Sequence, residues 1–229
     1  MHDQTAQLTW RDTDHGAVPV SDRFDDPYYS LSGGLAETEH VFLHGNGLPD
    51  RWDAPLAVAE LGFGTGLNLL VTWAAWARGP QNPLRFTSFE AYPMAPRDMR
   101  AALAAFPELA PLAEQMLAKW TAGARDVELA PNLTLDVIVG DARDTLPAWE
   151  GAADAWYLDG FSPAKNPELW QPDLIAQVGL HTRPDGTAAT YSAAGHVRKS
   201  LTQAGFDVTR VQGYGRKRHM TVARMSDAD

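Results

Sequence analysis

The chain has 229 residues, of which 45% are hydrophobic and 21% charged, and it contains no cysteine. This length and composition are ordinary for a globular protein with one large domain, or one domain with an appendage. The missing cysteines exclude disulfides, thiolate metal sites and a cysteine nucleophile. The net charge of −10 argues against a general nucleic-acid binder.

Charge is unevenly distributed along the chain. Residues 196–224 contain seven Lys or Arg and one acid, Asp207, so this stretch carries +6 and the remainder −16. Such a stretch can contact phosphates, or it can be an ordinary solvated surface, which is the simpler interpretation on charge alone.

The chain shows no targeting or membrane signal. It does not begin with a basic segment followed by an apolar run, and its longest apolar run, residues 67–77, is interrupted by Asn68 and Thr72. We therefore expect no secretory leader, no membrane span and a cytoplasmic protein.

The first 55 residues differ from the rest of the chain. Two short strands are predicted at 8–10 and 17–20, and a short helix at 35–42, followed by a glycine-rich turn. We predict that residues 1–55 form an N-terminal appendage packed on a main domain at 56–229.

The most informative segment begins at Glu60, which ends an apolar run and opens the pattern E-x-G-x-G-x-G with Gly62, Gly64 and Gly66. A strand, a tight glycine turn and a helix N-terminus predict a site for a nucleotide-like ligand, because backbone N–H groups can approach it closely. A dinucleotide site would need its third glycine at position 67, which is Leu67. The spacing is instead similar to the first motif of S-adenosylmethionine (AdoMet) methyltransferases.

Strand and helix patterns alternate after residue 56. Strands are predicted at 56–61, 85–90, 133–139, 155–159, 187–191, 206–211 and 219–225, and helices at 66–77, 97–106, 109–122, 173–180 and 193–204. The alternation predicts a parallel α/β sheet. The link at 213–218 is too short for a crossover helix, so the last two strands should form an antiparallel hairpin. A Rossmann-like seven-stranded sheet with such a terminal hairpin is typical of class I AdoMet-dependent methyltransferases.

Acidic residues follow four successive strands, where ligands bind in open α/β sheets: Glu60, Glu90, Asp141 and Asp159. Glu90 could accept hydrogen bonds from ribose hydroxyls, and Asp141 from an adenine amino group. Any one of them could also be an ordinary loop acid or helix cap. Four such positions together favour a site.

Asp159 and Phe161 point to the chemistry of the acceptor. An amine acceptor is protonated in water, and a carboxylate can orient it and receive its proton. Phe161 could stack on a flat base or line the acceptor pocket, or it could simply belong to the core. None of the seven histidines has metal-ligand spacing, so we predict no metal.

Four blocks carry a resemblance to a known family. They are residues 42–49, 60–68, 159–168 with Trp170, and 213–218. Together they resemble the MnmC/MnmD family, the methyltransferase half of a bifunctional tRNA-modifying enzyme and its stand-alone form. The resemblance implies AdoMet-dependent methylation of the side-chain amine of 5-aminomethyl-2-thiouridine at the tRNA wobble position.

The resemblance also implies roles for individual residues. AdoMet would be bound by Glu60, Gly62, Gly64, Gly66, Glu90 and Asp141, and the acceptor by Asp159 and Phe161. Lys165, Arg216, Lys217 and Arg218 are candidates for contacts with the phosphates of the tRNA anticodon loop. No second glycine-rich nucleotide motif is present, so we expect no FAD, and a separate enzyme would have to supply the aminomethyl group.

Several alternatives stay open at the level of sequence. A small-molecule amine methyltransferase or an aminopropyltransferase would use the same fold and similar acids. A non-catalytic AdoMet- or RNA-binding module would also fit, whereas a nicotinamide oxidoreductase is disfavoured by Leu67.

Overall fold

The structure is a computed structural model that describes residues 5–13, 16–30 and 33–226. The first four residues, which enter the prediction about a leader, lie outside this range. The described part of the chain contains eleven strands: β1 Leu8–Thr13, β2 Gly16–Ser21, β3 Asp26–Pro27, β4 Leu56–Leu61, β5 Leu84–Glu90, β6 Val127–Ala130, β7 Leu133–Val139, β8 Ala153–Leu158, β9 Thr182–Thr190, β10 Phe206–Gln212 and β11 His219–Met225.

Seven α-helices connect or flank these strands. They are α1 Gly34–Thr38, α2 Leu67–Trp76, α3 Pro96–Leu103, α4 Ala110–Lys119, α5 Ala142–Thr145, α6 Pro172–Leu180 and α7 Gly195–Gln203, all within the described residues. A π-helix, Glu39–His44, continues α1, and short 3₁₀ turns occupy Leu48–Asp50, Pro107–Leu109 and Pro167–Trp170. No helix in the described ranges is long and apolar enough to cross a bilayer.

The main sheet has the strand order β10-β11-β9-β8-β4-β5-β7-β6. Strands β4, β5, β7, β8 and β9 are parallel to their neighbours within this set, and β11 is antiparallel to both β9 and β10. Gln212 is the register partner of His219, which confirms the predicted terminal hairpin. The predicted α/β fold is confirmed as well, with a mixed sheet in which β4, β5, β7, β8 and β9 form the parallel part.

The sheet has one more strand than the sequence predicted. Strand β6 pairs antiparallel with β7 across a tight turn in which Asn132 has φ +67°. A four-residue strand gives too short a pattern to recognise from the sequence. The turn residue Asn132 was the one signal that could have indicated the extra strand. The predicted count of seven strands is therefore corrected to eight for the described residues.

The sheet is covered on both faces, which is why its central strands are almost continuously apolar. One core contains α2, α4 and the π-helix, including Trp73 and Trp76, and the other contains α6 and α7. Val41 and Phe42 of the π-helix belong to the first core, so the N-terminal region shares the core of the main sheet. The predicted boundary at residue 55 stays a prediction.

Candidate active site

A cavity of about 720 Å³ lies at the carboxyl ends of the parallel strands. Its wall combines the glycine turn after β4, the loops after β5, β7, β8 and β9, and residues of the N-terminal region within 21–30 and 34–42. This volume falls in the range of small-molecule sites. The switch-point rule placed a ligand site at this edge, and the cavity is there.

The glycine turn forms one side of the cavity. Gly62, Gly64 and Gly66 have φ values of +92°, +53° and +80°, a conformation in which a Cβ is strained. Gly62 and Gly64 line the cavity, and a Cβ on Gly64 would come within 3.1 Å of Tyr28 Cδ1. Gly66 is the N-cap of α2 and lies behind the wall, where a Cβ would meet Met116 Sδ at 3.0 Å.

Glu90 holds the glycine turn in place. Its Oε2 accepts a hydrogen bond from the N–H of Gly64 at 2.9 Å, and its Oε1 accepts one from the N–H of Tyr92 at 2.7 Å. Burial raises the pKa of Glu90, while these backbone donors oppose the rise. Each carboxylate oxygen has further lone pairs, so Glu90 can still accept hydrogen bonds from a ligand in the cavity.

Asp141 already accepts several hydrogen bonds within the protein, which the sequence did not suggest. It caps α5 by accepting the N–H of Arg143 at 2.9 Å, and the Arg143 guanidinium donates to both of its oxygens. These hydrogen bonds lower the pKa of Asp141. Both residues line the cavity, so a ligand would meet an Asp–Arg pair rather than a lone carboxylate.

Glu60 lies behind the cavity wall and is 0% exposed. Its Oε2 accepts from Ser88 Oγ at 2.7 Å and its Oε1 from Asn68 Nδ2 at 2.8 Å. Burial raises the pKa of Glu60 to about 8. The Glu60 side chain is not part of the cavity lining and instead holds Asn68, so a direct contact between Glu60 and the ligand stays a prediction.

Asn68 links Glu60 to Asp159. The same Nδ2 donates to Asp159 Oδ2 at 2.7 Å, and Asn68 Oδ1 accepts from Thr38 Oγ1 at 3.0 Å. Asp159 Oδ1 accepts the N–H of Gly160 at 2.8 Å. Burial raises the pKa of Asp159 to about 6, against the opposing hydrogen bonds from Asn68 and Gly160. A carboxylate fixed at both oxygens, with a pKa close to neutrality, is suited to proton transfer.

An aromatic wall lines the same cavity as Asp159. Phe161 stacks on Phe24, with ring centroids 4.8 Å apart, and meets Tyr28 edge-on at 5.0 Å. The segment that carries Phe24 and Tyr28 is tied to the loop that carries Phe161, because Asp26 Oδ2 accepts the N–H of Ser162 at 2.8 Å. Phe161 is therefore part of the cavity lining rather than of either core cluster.

Comparison with known proteins identifies the family of this chain. A family model described as "S-adenosyl-L-methionine-dependent methyltransferase" matches residues 107–226. The chain belongs to this family. The predicted methyl donor, AdoMet, and the predicted class of enzyme are thereby confirmed.

Two similar proteins carry the same descriptive name. The chain is 47% identical over 214 residues to the tRNA 5-methylaminomethyl-2-thiouridine biosynthesis bifunctional protein MnmC of Ralstonia nicotianae, with 90% of this chain and 33% of that protein covered. It is 42% identical to the protein of the same name from Stutzerimonas stutzeri, with 95% and 34% covered. The chain thus spans about a third of the length of these relatives.

A solved structure is also similar. The crystal structure of MNMC2 from Aquifex aeolicus is 28% identical, with a TM-score of 0.78, and the match covers 98% of this chain and 72% of that one. The resemblance to the methyltransferase part of MnmC that the sequence blocks indicated is confirmed.

The four cations predicted to contact RNA fall into two groups. Lys165 forms an ion pair with Asp25, and Lys217 forms one with Glu37. Arg216 and Arg218 are exposed and have no ion pair within the described residues. Contact of any of the four with a phosphate stays a prediction.

Sequence reasoning missed the contribution of the N-terminal region to this methyltransferase site. Phe24, Tyr28 and Glu37 line the cavity although they precede the glycine turn by 25 residues or more. The run of aromatic and acidic residues at 24–29 was the available signal. Asn68 was also missed, although it directly follows the glycine motif. No group of three His, Asp or Glu that could hold a metal occurs in the described residues.

Proposed function

We propose that this protein transfers the methyl group of AdoMet to the primary amine of 5-aminomethyl-2-thiouridine at the wobble position of tRNA. One observation carries the proposal: a single cavity joins the glycine turn to Asp159 and Phe161. In-line methyl transfer requires the donor and the amine-binding carboxylate to share one cavity. The choice of nucleoside is supported by the relative whose name gives 5-methylaminomethyl-2-thiouridine biosynthesis in tRNA.

The donor half of the cavity fits an adenosyl group. Gly62 and Gly64 offer backbone without side chains, and Glu90 keeps free lone pairs for ribose hydroxyls. Asp141, held by Arg143, would accept from the adenine amino group at the far side. Bound AdoMet would supply an electrophilic methyl group on a sulfonium.

The acceptor half supplies orientation and a proton acceptor. Asp159 would accept a hydrogen bond from the aminomethyl ammonium and take one of its protons, which leaves a lone pair on nitrogen. The carbon–nitrogen bond then forms as the carbon–sulfur bond of the donor breaks. The proton taken by Asp159 leaves to solvent, and Asn68 keeps the carboxylate in position throughout.

The aromatic wall suits a flat uracil ring. Phe24, Tyr28 and Phe161 present ring faces and edges next to Asp159, and stacking on such side chains is how proteins hold unstacked bases. A uridine of an anticodon loop is already partly unstacked, so little pairing energy must be given up.

Three further parts of the proposal concern the cellular setting. We infer that the partner is a tRNA anticodon loop, whose phosphates would meet Lys165, Arg216, Lys217 and Arg218 at the cavity mouth. We infer that a separate active site generates the aminomethyl group. We place the reaction in the cytoplasm, where its tRNA substrate would be found.

The test is mass analysis of wobble nucleosides. tRNA carrying 5-aminomethyl-2-thiouridine is incubated with the protein and AdoMet, digested and compared with tRNA incubated without AdoMet. Loss of the aminomethyl nucleoside and appearance of its N-methyl product supports the proposal. Methyl incorporation into small amines but not into tRNA would instead indicate a small-molecule methyltransferase. AdoMet binding without any turnover would indicate a binding module.

A further inference from the structure

Lys217 and Glu37 form an ion pair on the acceptor side of the cavity. Lys217 Nζ lies 2.6 Å from Glu37 Oε1, and the Glu37 side chain is only 12% exposed, against 46% for Lys217. Both residues line the same cavity as Asp159. Glu37 comes from α1 and Lys217 from the loop between β10 and β11, so two distant parts of the chain meet here.

The pair is fixed to the loop that carries Asp159. Lys217 Nζ lies 4.4 Å from the centroid of the Tyr191 ring, over its face. Tyr191 in turn donates a hydrogen bond to the carbonyl of Gly160 at 2.7 Å. The Lys217 ammonium is therefore held by a carboxylate and by an aromatic face that is hydrogen-bonded next to Asp159.

Glu37 depends on Lys217 for neutralisation. Within the described residues, no N–H or O–H donates to Glu37 Oε1 with hydrogen-bond geometry, so the ammonium contact is an ion pair without a directed hydrogen bond. A carboxylate that is largely shielded from water is costly to leave unpaired.

The titratable groups around this pair decide what it does to an incoming amine. Asp159 and the phenol of Tyr191 interact with the pair directly. Asp26 acts on Tyr191, and Glu60, behind the wall, interacts with Asp159. Burial and hydrogen bonding have the largest effects on the pKa of Asp159. Among the charges, Glu37 raises this pKa and Lys217 lowers it. A protonated amine placed among Asp159 and an unneutralised Glu37 would be held as ammonium by two carboxylates.

Resting on the proposed function, we propose that Lys217 is a positioning residue that neutralises Glu37, so that the acceptor amine faces one free carboxylate, Asp159, and loses its proton to it. Only the free base of the amine can attack the donor methyl group. Lys217 therefore sets how acidic the medium can become before methylation stops.

The experiment measures kcat against pH under saturating tRNA and AdoMet for the wild type and four variants. In Lys217→Met, the acidic limb of the kcat profile should move to higher pH by about one unit, because Glu37 is left charged beside the amine. In Glu37→Gln the limb should move the other way. The double variant Lys217→Met with Glu37→Gln should return to within about 0.3 units of the wild type, and Lys217→Arg should leave the limb in place.

Matched controls separate this role from others. Lys119→Met removes a lysine whose Nζ contacts the carbonyl of Glu128, outside the cavity, and should not move the limb. An equal loss of kcat at every pH in Lys217→Met, with the limb in place, would overturn the proposal and leave Lys217 with only a structural or phosphate-contacting role. Failure of Glu37→Gln to shift the limb would overturn it as well, even if Lys217→Met does not fold. A wild type that binds AdoMet but never methylates tRNA would refute the proposed function itself.

Discussion

Asp159 is fixed at both oxygens, by Asn68 and by the N–H of Gly160, before any substrate arrives. In the proposed mechanism, this preorganisation lets one carboxylate both orient an ammonium and accept its proton. Asp159→Asn keeps the shape but cannot take a proton, so single-turnover methylation of tRNA should fall by about 10²–10⁴-fold. AdoMet affinity, measured by calorimetry, should change less than about threefold, because the acid acts on the acceptor.

The matched control for this variant is Asp173→Asn, an exposed acid in the first turn of α6. It should keep full turnover. Full turnover in Asp159→Asn would remove Asp159 from the mechanism, and an equal loss of AdoMet affinity would move its role to the donor.

Glu60 makes a different contribution, to stability rather than to chemistry. Its pKa is raised by burial from 4.5 to about 8, so the folded protein binds a proton there that the unfolded chain releases above its ordinary pKa. The stabilisation that this bound proton gives to the folded protein is present below the ordinary pKa of Glu60. It is lost as pH rises towards about 8. Glu60→Gln resembles the protonated acid and cannot titrate. In this variant the unfolding free energy should therefore fall by a few kcal/mol less than in the wild type over the same pH range.

Urea unfolding at several pH values checks this prediction. Ser88→Ala is the comparison, since it removes one donor to Glu60 but leaves the carboxyl group able to titrate. An unfolding free energy that rises with pH in the wild type over the same window would contradict the assignment.

At the scale of elements, the N-terminal region supplies two of the three rings of the aromatic wall, Phe24 and Tyr28. Strands β1, β2 and β3 form a small three-stranded sheet that is separate from the main sheet. Phe24 and Tyr28 flank β3, and Phe161 follows β8, so the stacked pair of Phe24 and Phe161 joins the small sheet to the main one. Phe24→Ala should lower kcat/KM for tRNA by about 5–100-fold, the value of one lost base–aromatic contact, with AdoMet affinity unchanged. Trp10→Ala, an exposed aromatic on β1 of the same small sheet, should have no such effect on steady-state kinetics. A matching loss in both variants would indicate general damage to that sheet.

The same elements show what sequence patterns can and cannot predict. Parallel strands, the hairpin and the glycine turn follow from local periodicity, and the strand-end rule located the cavity. The strand-end rule placed Glu60 near the ligand, but it could not show that Glu60 is the register partner of Ser88 on β5. That lateral contact depends on strand pairing. Phe24 and Glu37 reach the site through tertiary packing. The aromatic and acidic run at 24–29 marks a candidate segment, but not the place where that segment packs.

For the molecule as a whole, charge is the feature that bears on RNA. Residues 196–224 carry +6 on a chain of net charge −10, and within the described residues Arg216 and Arg218 have no ion pair. Contacts with phosphate release counterions, so tRNA affinity should fall steeply with salt. The double variant Arg216→Gln with Arg218→Gln should make the plot of log affinity against log salt shallower, reducing the magnitude of its slope by about two. It should weaken binding to all tRNAs alike.

Filter binding at several salt concentrations measures this slope. Arg97→Gln, whose side chain is 87% exposed on α3 and pairs with Asp98, should leave it unchanged. The opposite pattern, with an unchanged slope in the double variant, would mean that the hairpin loop does not touch the tRNA backbone. Lys217 would then act in the cavity alone, because its ammonium is already held by Glu37 and Tyr191.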